Sequence, residues 1–318
     1  MAVNNQLVNQ DNKKPSVGAT IATFLSGEAV KKNIADVVGK MDSTRFVTSI
    51  VSAVQNTPAL KECTNVSIFS AALLGQGLEL SPSPQLGQFY MVPFEDKKAG
   101  IKQATFVLGY KGYIQLAIRS GQYKRLNVMA IKEGELQYFD PLNEEISVNL
   151  MVDNWDAREK AKTIGYYAFF ELTNGFKKAM YWSIDQMINH ADKYSPAFSK
   201  NATSGRYPKV SYADYLAGNY DKKDAWLYSS FWYKDFDGMA YKTMLRQLIS
   251  KWGPMSIDMQ NAFTADNAVV DQNGCPVTYP DQEKAEILTV DTTATEEPVQ
   301  EQPAPDQQQD INDILFSN

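Results

Sequence analysis

The stretch QATFVLGYKGYIQLAIRSGQYKRLNV, residues 103–128, decides how the rest of the chain is read. Ala104-Thr105-Phe106-Val107-Leu108 has the aromatic and β-branched content of a strand. Tyr110 to Ser120 reads as a short helix, closed by Gly121. A further strand-like run follows over 123–132. Upstream, Gln88-Phe89-Tyr90-Met91-Val92 and residues 104–108 flank the polar loop Glu95–Gly100, which predicts a hairpin. Before it, helical patterning runs from about Ala19 to Lys40. A second helix starts at the capping run Asp42-Ser43-Thr44, with Phe46, Ile50, Val51 and Val54 on one face. A third spans about 65–75 and is stopped by Ser81-Pro82-Ser83-Pro84. Downstream, strands are expected at 135–139, 145–151, 163–172 and 178–183, the last two joined by an Asn174-Gly175 turn. Ser183 can cap a helix through about His190. Residues 194–225 read as a long loop. A last helix covers about 237–252, with Gly253-Pro254 at its end. The fold class is therefore α+β: a helical N-terminal part, a central antiparallel-rich sheet with helices, and a disordered acidic C-terminal tail. The expected division is an arm over 1–17, a core over 18–264 and a tail over 265–318.

Charge is sorted along the chain. The 318 residues carry a net charge of −6. Residues 281–318 hold ten acidic residues and one Lys, a net of −9, so the other 280 carry −6 − (−9) = +3. Low pI is a property of the tail, not of the body. Over residues 97–132 there are eight basic residues and no Asp or Glu: Lys97, Lys98, Lys102, Lys111, Arg119, Lys124, Arg125 and Lys132. Phe106, Tyr110, Tyr113 and Tyr123 are interleaved with them. Basic side chains track a phosphate backbone and aromatic faces stack on bases. A solvated strand face protected against edge pairing would read the same way. The last helix adds Lys242 and Arg246, four apart and so on one face, with Lys234 before it and Lys251 in its final turn. The helix dipole alone accounts for a Lys at that last position. Residues 194–225 mix Lys200, Arg206, Lys209, Lys222 and Lys223 with tyrosines, as an adaptable strand-binding or subunit-contact segment would.

Much chemistry is missing. His190 is the only histidine, which removes His-based triads and His-rich metal sites. No P-loop motif occurs, and Gly75-x-Gly77 and Gly109-x-x-Gly112 read as turn or close-packing glycines. Cys63 and Cys275 do not form a disulfide framework. No apolar run of about 18 residues is present for a membrane span, and the N-terminus lacks a signal-peptide apolar region. Asp235 and Asp237 are the best acidic pair. They could hold Mg²⁺ for a nuclease, or cap the helix that begins beside them.

Three stretches together resemble the RecT family of phage annealing proteins: AALLGQGLELSPSPQLGQFYMVPF at 71–94, the GYKG-containing stretch at 103–128, and WYKDFDGMAYKTMLRQLISKWGP at 232–254. The resemblance covers roughly residues 40–260. It implies a compact subunit that assembles into rings or helical filaments, holds single-stranded DNA and the annealed duplex intermediate in a basic groove, and anneals without ATP. It implies no catalytic residue and no cofactor, with Mg²⁺ at most a modulator of DNA binding. It also implies a phage 5′→3′ exonuclease and the host single-strand-binding protein as partners, and the cytoplasm of a bacterial host as the location. Carried onto this sequence, the phosphate contacts are Lys111, Arg119, Lys242, Arg246 and Lys251; Lys124, Arg125 and Lys234 come from the charge reading. Two other readings stay open: the Asp235/Asp237 nuclease, and a non-catalytic phage protein whose basic belt binds an acidic partner.

Overall fold

A computed structural model describes residues 20–40, 42–96, 99–200 and 208–279. The expected arm and the tail from 280 onward lie outside the described residues, as do Lys97, Lys98 and Arg206. The N-terminal helical part has four helices: α1 (Ile21–Leu25), α2 (Glu28–Val38), α3 (Ser43–Asn56) and α4 (Asn65–Gly77). The single helix expected over about 19–40 is two, because Ser26 and Gly27 interrupt it and Gly27 is the N-cap of α2. Thr64 caps α4 by accepting a hydrogen bond from the Ser67 N–H.

The expected hairpin is β1 (Phe89–Asp96) against β2 (Ile101–Leu108), antiparallel throughout. Then come α5 (Tyr110–Arg119) and β3 (Tyr123–Lys132). A separate small hairpin of β4 (Leu136–Asp140) and β5 (Glu145–Val148), followed by α6 (Trp155–Lys160), is inserted before β3 finds its partner. That partner is β6 (Thr163–Leu172), which pairs in turn with β7 (Lys177–Ser183). The main sheet thus has the order β3-β6-β7. Ser183 and Gln186 form a reciprocal capping box at the start of α7 (Ile184–Tyr194).

Residues 208–228 overturn the loop expectation. They contain α8 (Tyr212–Leu216) and a 3-10 turn at Lys222–Tyr228. Tyr212, Tyr215, Tyr228, Tyr233, Phe198 and Phe236 pack ring against ring, with centroids 4.7–5.0 Å apart at the closest pairs. The tyrosines build a core instead of an adaptable surface, because rings that pack on one another leave water together.

After α9 (Phe231–Lys234), the long α10 (Phe236–Trp252) divides two cores. Leu245 and Ile249 face the cluster built from α1–α5 and the β1–β2 hairpin. Ala240, Met244 and Leu248 face the cluster built from the main sheet, α7 and the tyrosines. Spacing of four places each set on one flank.

Order does not fade at 265. Helix α11 (Ile257–Ala265) leads into Asn267 and Ala268, which exchange backbone hydrogen bonds with Phe106 at 2.8 Å. A small hairpin of β8 (Val269–Val270) and β9 (Pro276–Thr278) follows. Ala268, Val269 and Val270 are buried. The boundary at 264/265 is therefore corrected: the body reaches at least residue 279.

Candidate nucleic-acid interface

The eight basic positions expected to form one groove separate into four environments. The first is the core. Lys242 is 5% and Arg246 1% exposed, so the two side chains expected to contact phosphate are buried instead. Both point at Asp266, at 3.0 Å from the Lys242 ammonium and 2.5 Å from the Arg246 guanidinium. Asp266 also accepts the Leu108 N–H at 2.8 Å and the Tyr113 hydroxyl at 2.9 Å. Burial alone would raise the Asp266 carboxyl, but the two cations outweigh it and hold it below the usual carboxylate range. A Lys/Arg pair four apart on a helix can only face the interior if a carboxylate meets it there. That carboxylate is twenty residues further on, in what reads from composition as the start of a tail.

The second environment is the end of α4. Arg119 donates to the Leu78 carbonyl and pairs with Glu79 at 2.8 Å. It neutralises the carbonyl-rich C-terminal end of that helix and locks α5 to α4.

The third lies at the N-terminal end of α5. Lys111 is exposed there. The glycines on either side of Tyr110-Lys111 have a packing reason: a Cβ on Gly109 would lie 2.2 Å from the Gly87 carbonyl, and one on Gly112 2.1 Å from the Gln88 carbonyl. Gly109 donates to the Gln88 carbonyl at 2.8 Å. The GYKG turn is thereby pressed onto the strand entrance, with Lys111 outward. Phe231 packs against Tyr90 with tilted rings, centroids 5.6 Å apart, which brings α9 and its exposed Lys234 to the same region.

The fourth is a basic pole where β3 begins, β6 turns into β7 and α10 ends. Glu171, 6% exposed, accepts from Lys124 at 3.0 Å and has the Arg125 guanidinium at 3.5 Å. Lys177 stands opposite Glu171 in the ladder, and Arg125 opposite it on the other side, so all three share a face of the sheet. The hydrogen bond from Lys124, stronger than the opposing effect of burial, holds the Glu171 carboxyl low, with Lys177 and Arg125 contributing. Three cations thus surround one carboxylate, and the Lys124 and Arg125 side chains remain 58% and 70% exposed. Lys251 is exposed at the end of α10. Beside it, the Trp252 ring carries the Lys178 ammonium 3.4 Å from its centroid. Lys177 and Lys178 follow the exposed Phe176 at the tip of the β6–β7 turn. Sequence reasoning stopped at the Asn174-Gly175 turn and passed over the Phe-Lys-Lys that follows it, although an aromatic beside two lysines at a hairpin tip is a readable signal.

The remaining belt residues lie elsewhere: Lys102 pairs with Glu62, and Lys132 donates to Thr163 at 2.9 Å. The acidic pair is structural in its contacts. Asp235 accepts the Gly238 N–H at 3.0 Å as the cap of α10, and Asp237 accepts the Tyr166 hydroxyl at 2.6 Å. Among the described residues no group of three or more His, Cys, Asp or Glu gathers as a metal ion would need. His190 lies against Trp182 and Tyr194. No helix of the described residues is long and apolar enough to cross a membrane.

The model of the RecT family matches residues 44–279, the span that ends with β9. The uncharacterized protein YqaK of Bacillus subtilis (strain 168) is 36% identical over 274 residues, 84% of this chain and 81% of that protein. Protein RecT of Escherichia coli (strain K12) is 26% identical over 262 residues, 81% of this chain and 84% of that protein.

Proposed function

The chain belongs to the RecT family, and from that premise we propose that it binds single-stranded DNA and anneals complementary strands without ATP, in phage-type recombination. Family membership supports the recombination and strand-annealing role. The observation that carries the DNA contact is the basic pole, where Lys124, Arg125 and Lys177 crowd the single buried carboxylate of Glu171. Such an arrangement leaves positive charge unneutralised at the surface, ready for phosphates.

Annealing makes and breaks no covalent bond, so the reading asks for no catalytic residue. It requires the repulsion between two phosphate backbones to be screened while the bases stay free to pair. Lys124, Arg125, Lys177 and Lys251 do the first at the pole. Lys111 and Lys234 extend the track to the other end of α5, a helix about 15 Å long. Lys242, Arg246 and Arg119 are assigned to holding the fold. Assembly into a ring or filament would join the poles of successive subunits into one groove. The resemblance further supports a phage 5′→3′ exonuclease and a host single-strand-binding protein as partners, in the cytoplasm of a bacterial host. No observation favours the nuclease reading, since both of its carboxylates already serve the fold.

The test is a gel assay with labelled complementary oligonucleotides and no nucleotide triphosphate. Accelerated formation of full-length duplex is expected. Shortened strands, or no acceleration, would remove the proposal.

A further inference from the structure

Trp252 is half exposed, at 51%, on the last residue of a helix that otherwise buries most of its length. A large exposed aromatic is common singly and proves nothing alone. Its surroundings distinguish this one. The Lys178 ammonium sits 3.4 Å from the ring centroid. Lys178 is itself only 10% exposed and is held from the other side by Glu144, on the β4–β5 turn. The ring is therefore backed by a mostly covered cation. The backbone under it is fixed as well: Gly253 donates to the Ile249 carbonyl at 2.9 Å, and the Pro254 carbonyl accepts from the Tyr123 hydroxyl at 2.8 Å. A Cβ on Gly253 would fall 2.2 Å from that hydroxyl, so the turn is packed tightly against the start of β3. Two residues along β3 from Tyr123 is Arg125, with Lys124 between them. An indole held in place, backed by a cation and next along the helix to the exposed Lys251 is pre-organised to stack on a flat, electron-rich partner.

We propose that Trp252 is a base-stacking residue, held by Lys178, and that it makes the pole prefer single-stranded over duplex DNA. This rests on the functional reading above. Every nucleobase has a π face, so the contact is indifferent to sequence. In a duplex those faces are already stacked and cannot reach the indole. The lysines and arginine alone would bind either form, because both present phosphates.

The experiment measures binding of the full-length protein to a labelled oligo(dT) and to a duplex of equal length, at one fixed salt concentration. The wild type is compared with Trp252→Ala and Trp252→Phe, and circular dichroism and light scattering check fold and assembly size. Trp252→Ala should weaken oligo(dT) binding about 5- to 150-fold, the range expected for one stacked base, and leave duplex binding unchanged. Trp252→Phe should restore most of the affinity. Oligo(dT) should quench the tryptophan emission of the wild type more than that of Trp252→Phe at equal saturation. Equal oligo(dT) affinity in all three proteins would overturn the stacking proposal while leaving the annealing reading intact. So would a loss in Trp252→Ala that accompanies altered assembly size or fold. A wild type that does not bind oligo(dT) at all overturns the functional reading itself.

Discussion

Arg246 and Lys111 are both basic residues in family-like motifs, yet their surroundings predict opposite behaviour. Arg246→Ala leaves Asp266 and Lys242 in a buried site designed for three charges. Breaking such a pair is expected to cost about 3–5 kcal/mol, measurable by urea denaturation. Any loss of annealing in that variant should track loss of fold. Lys111→Ala removes an exposed ammonium and should change stability by no more than about 0.5 kcal/mol, while weakening DNA binding. Equal stability of the two variants would contradict this division. Asp266 also sets an acid limit. Its folded carboxyl lies below the unfolded value, so its stabilisation is complete above a pH of about 4 and is lost as pH falls through the folded value. Near-ultraviolet circular dichroism should therefore be flat from neutral pH down to about 4 and collapse below it. A collapse well above that would identify another group as the weak point.

At the scale of elements, the segment 265–279 is the informative one. Its backbone stitches to β2 at Phe106, and its Asp266 ties together α5, α10 and the end of β2. A chain ending at residue 264 should be insoluble or unfolded, whereas one ending at 280 should fold cooperatively. Folding of the shorter chain would show that Lys242 and Arg246 find water or other partners without Asp266. Glu171 offers the complementary experiment on the main sheet. Glu171→Gln removes the carboxylate shared by Lys124, Arg125 and Lys177. It should tighten DNA binding and steepen its salt dependence, because more cations become available to phosphate. Unchanged affinity and slope would place the DNA away from this pole.

For the whole molecule, electrostatics should dominate binding. The log–log slope of affinity against salt for a single strand should be about −0.7 per neutralised phosphate, and a flat response would exclude a phosphate-tracking groove. The body carries +3 and residues 281–318 carry −9, so the tail has the same sign of charge as DNA phosphate and competes with it for the body's cations. Deleting 281–318 should raise affinity for single-stranded DNA, and more so at low salt, where charges act over longer distances. Unchanged affinity would mean that the tail does not compete at the groove.

Local pattern was sufficient for much of this protein. The β1–β2 hairpin, α5, the β6–β7 turn and the helix cap at Ser183 were legible because turn chemistry, capping and alternation act within a few residues of one another. The family motifs were legible for a similar reason: Gly109 and Gly112 are required by a close approach of neighbouring backbone. Lys242 and Arg246 were misplaced because periodicity says which residues share a helix face but not what meets that face. Asp266 lies in a different element, and only the folded chain carries it there. The tyrosines of 212–220 were misread in the same way, since composition cannot tell rings that bind a strand from rings that pack on one another. The basic pole is likewise a tertiary object. Its cations come from β3, β7 and α10, three elements with no sequence relation, and sheet register with helix packing brings them to one end of the molecule.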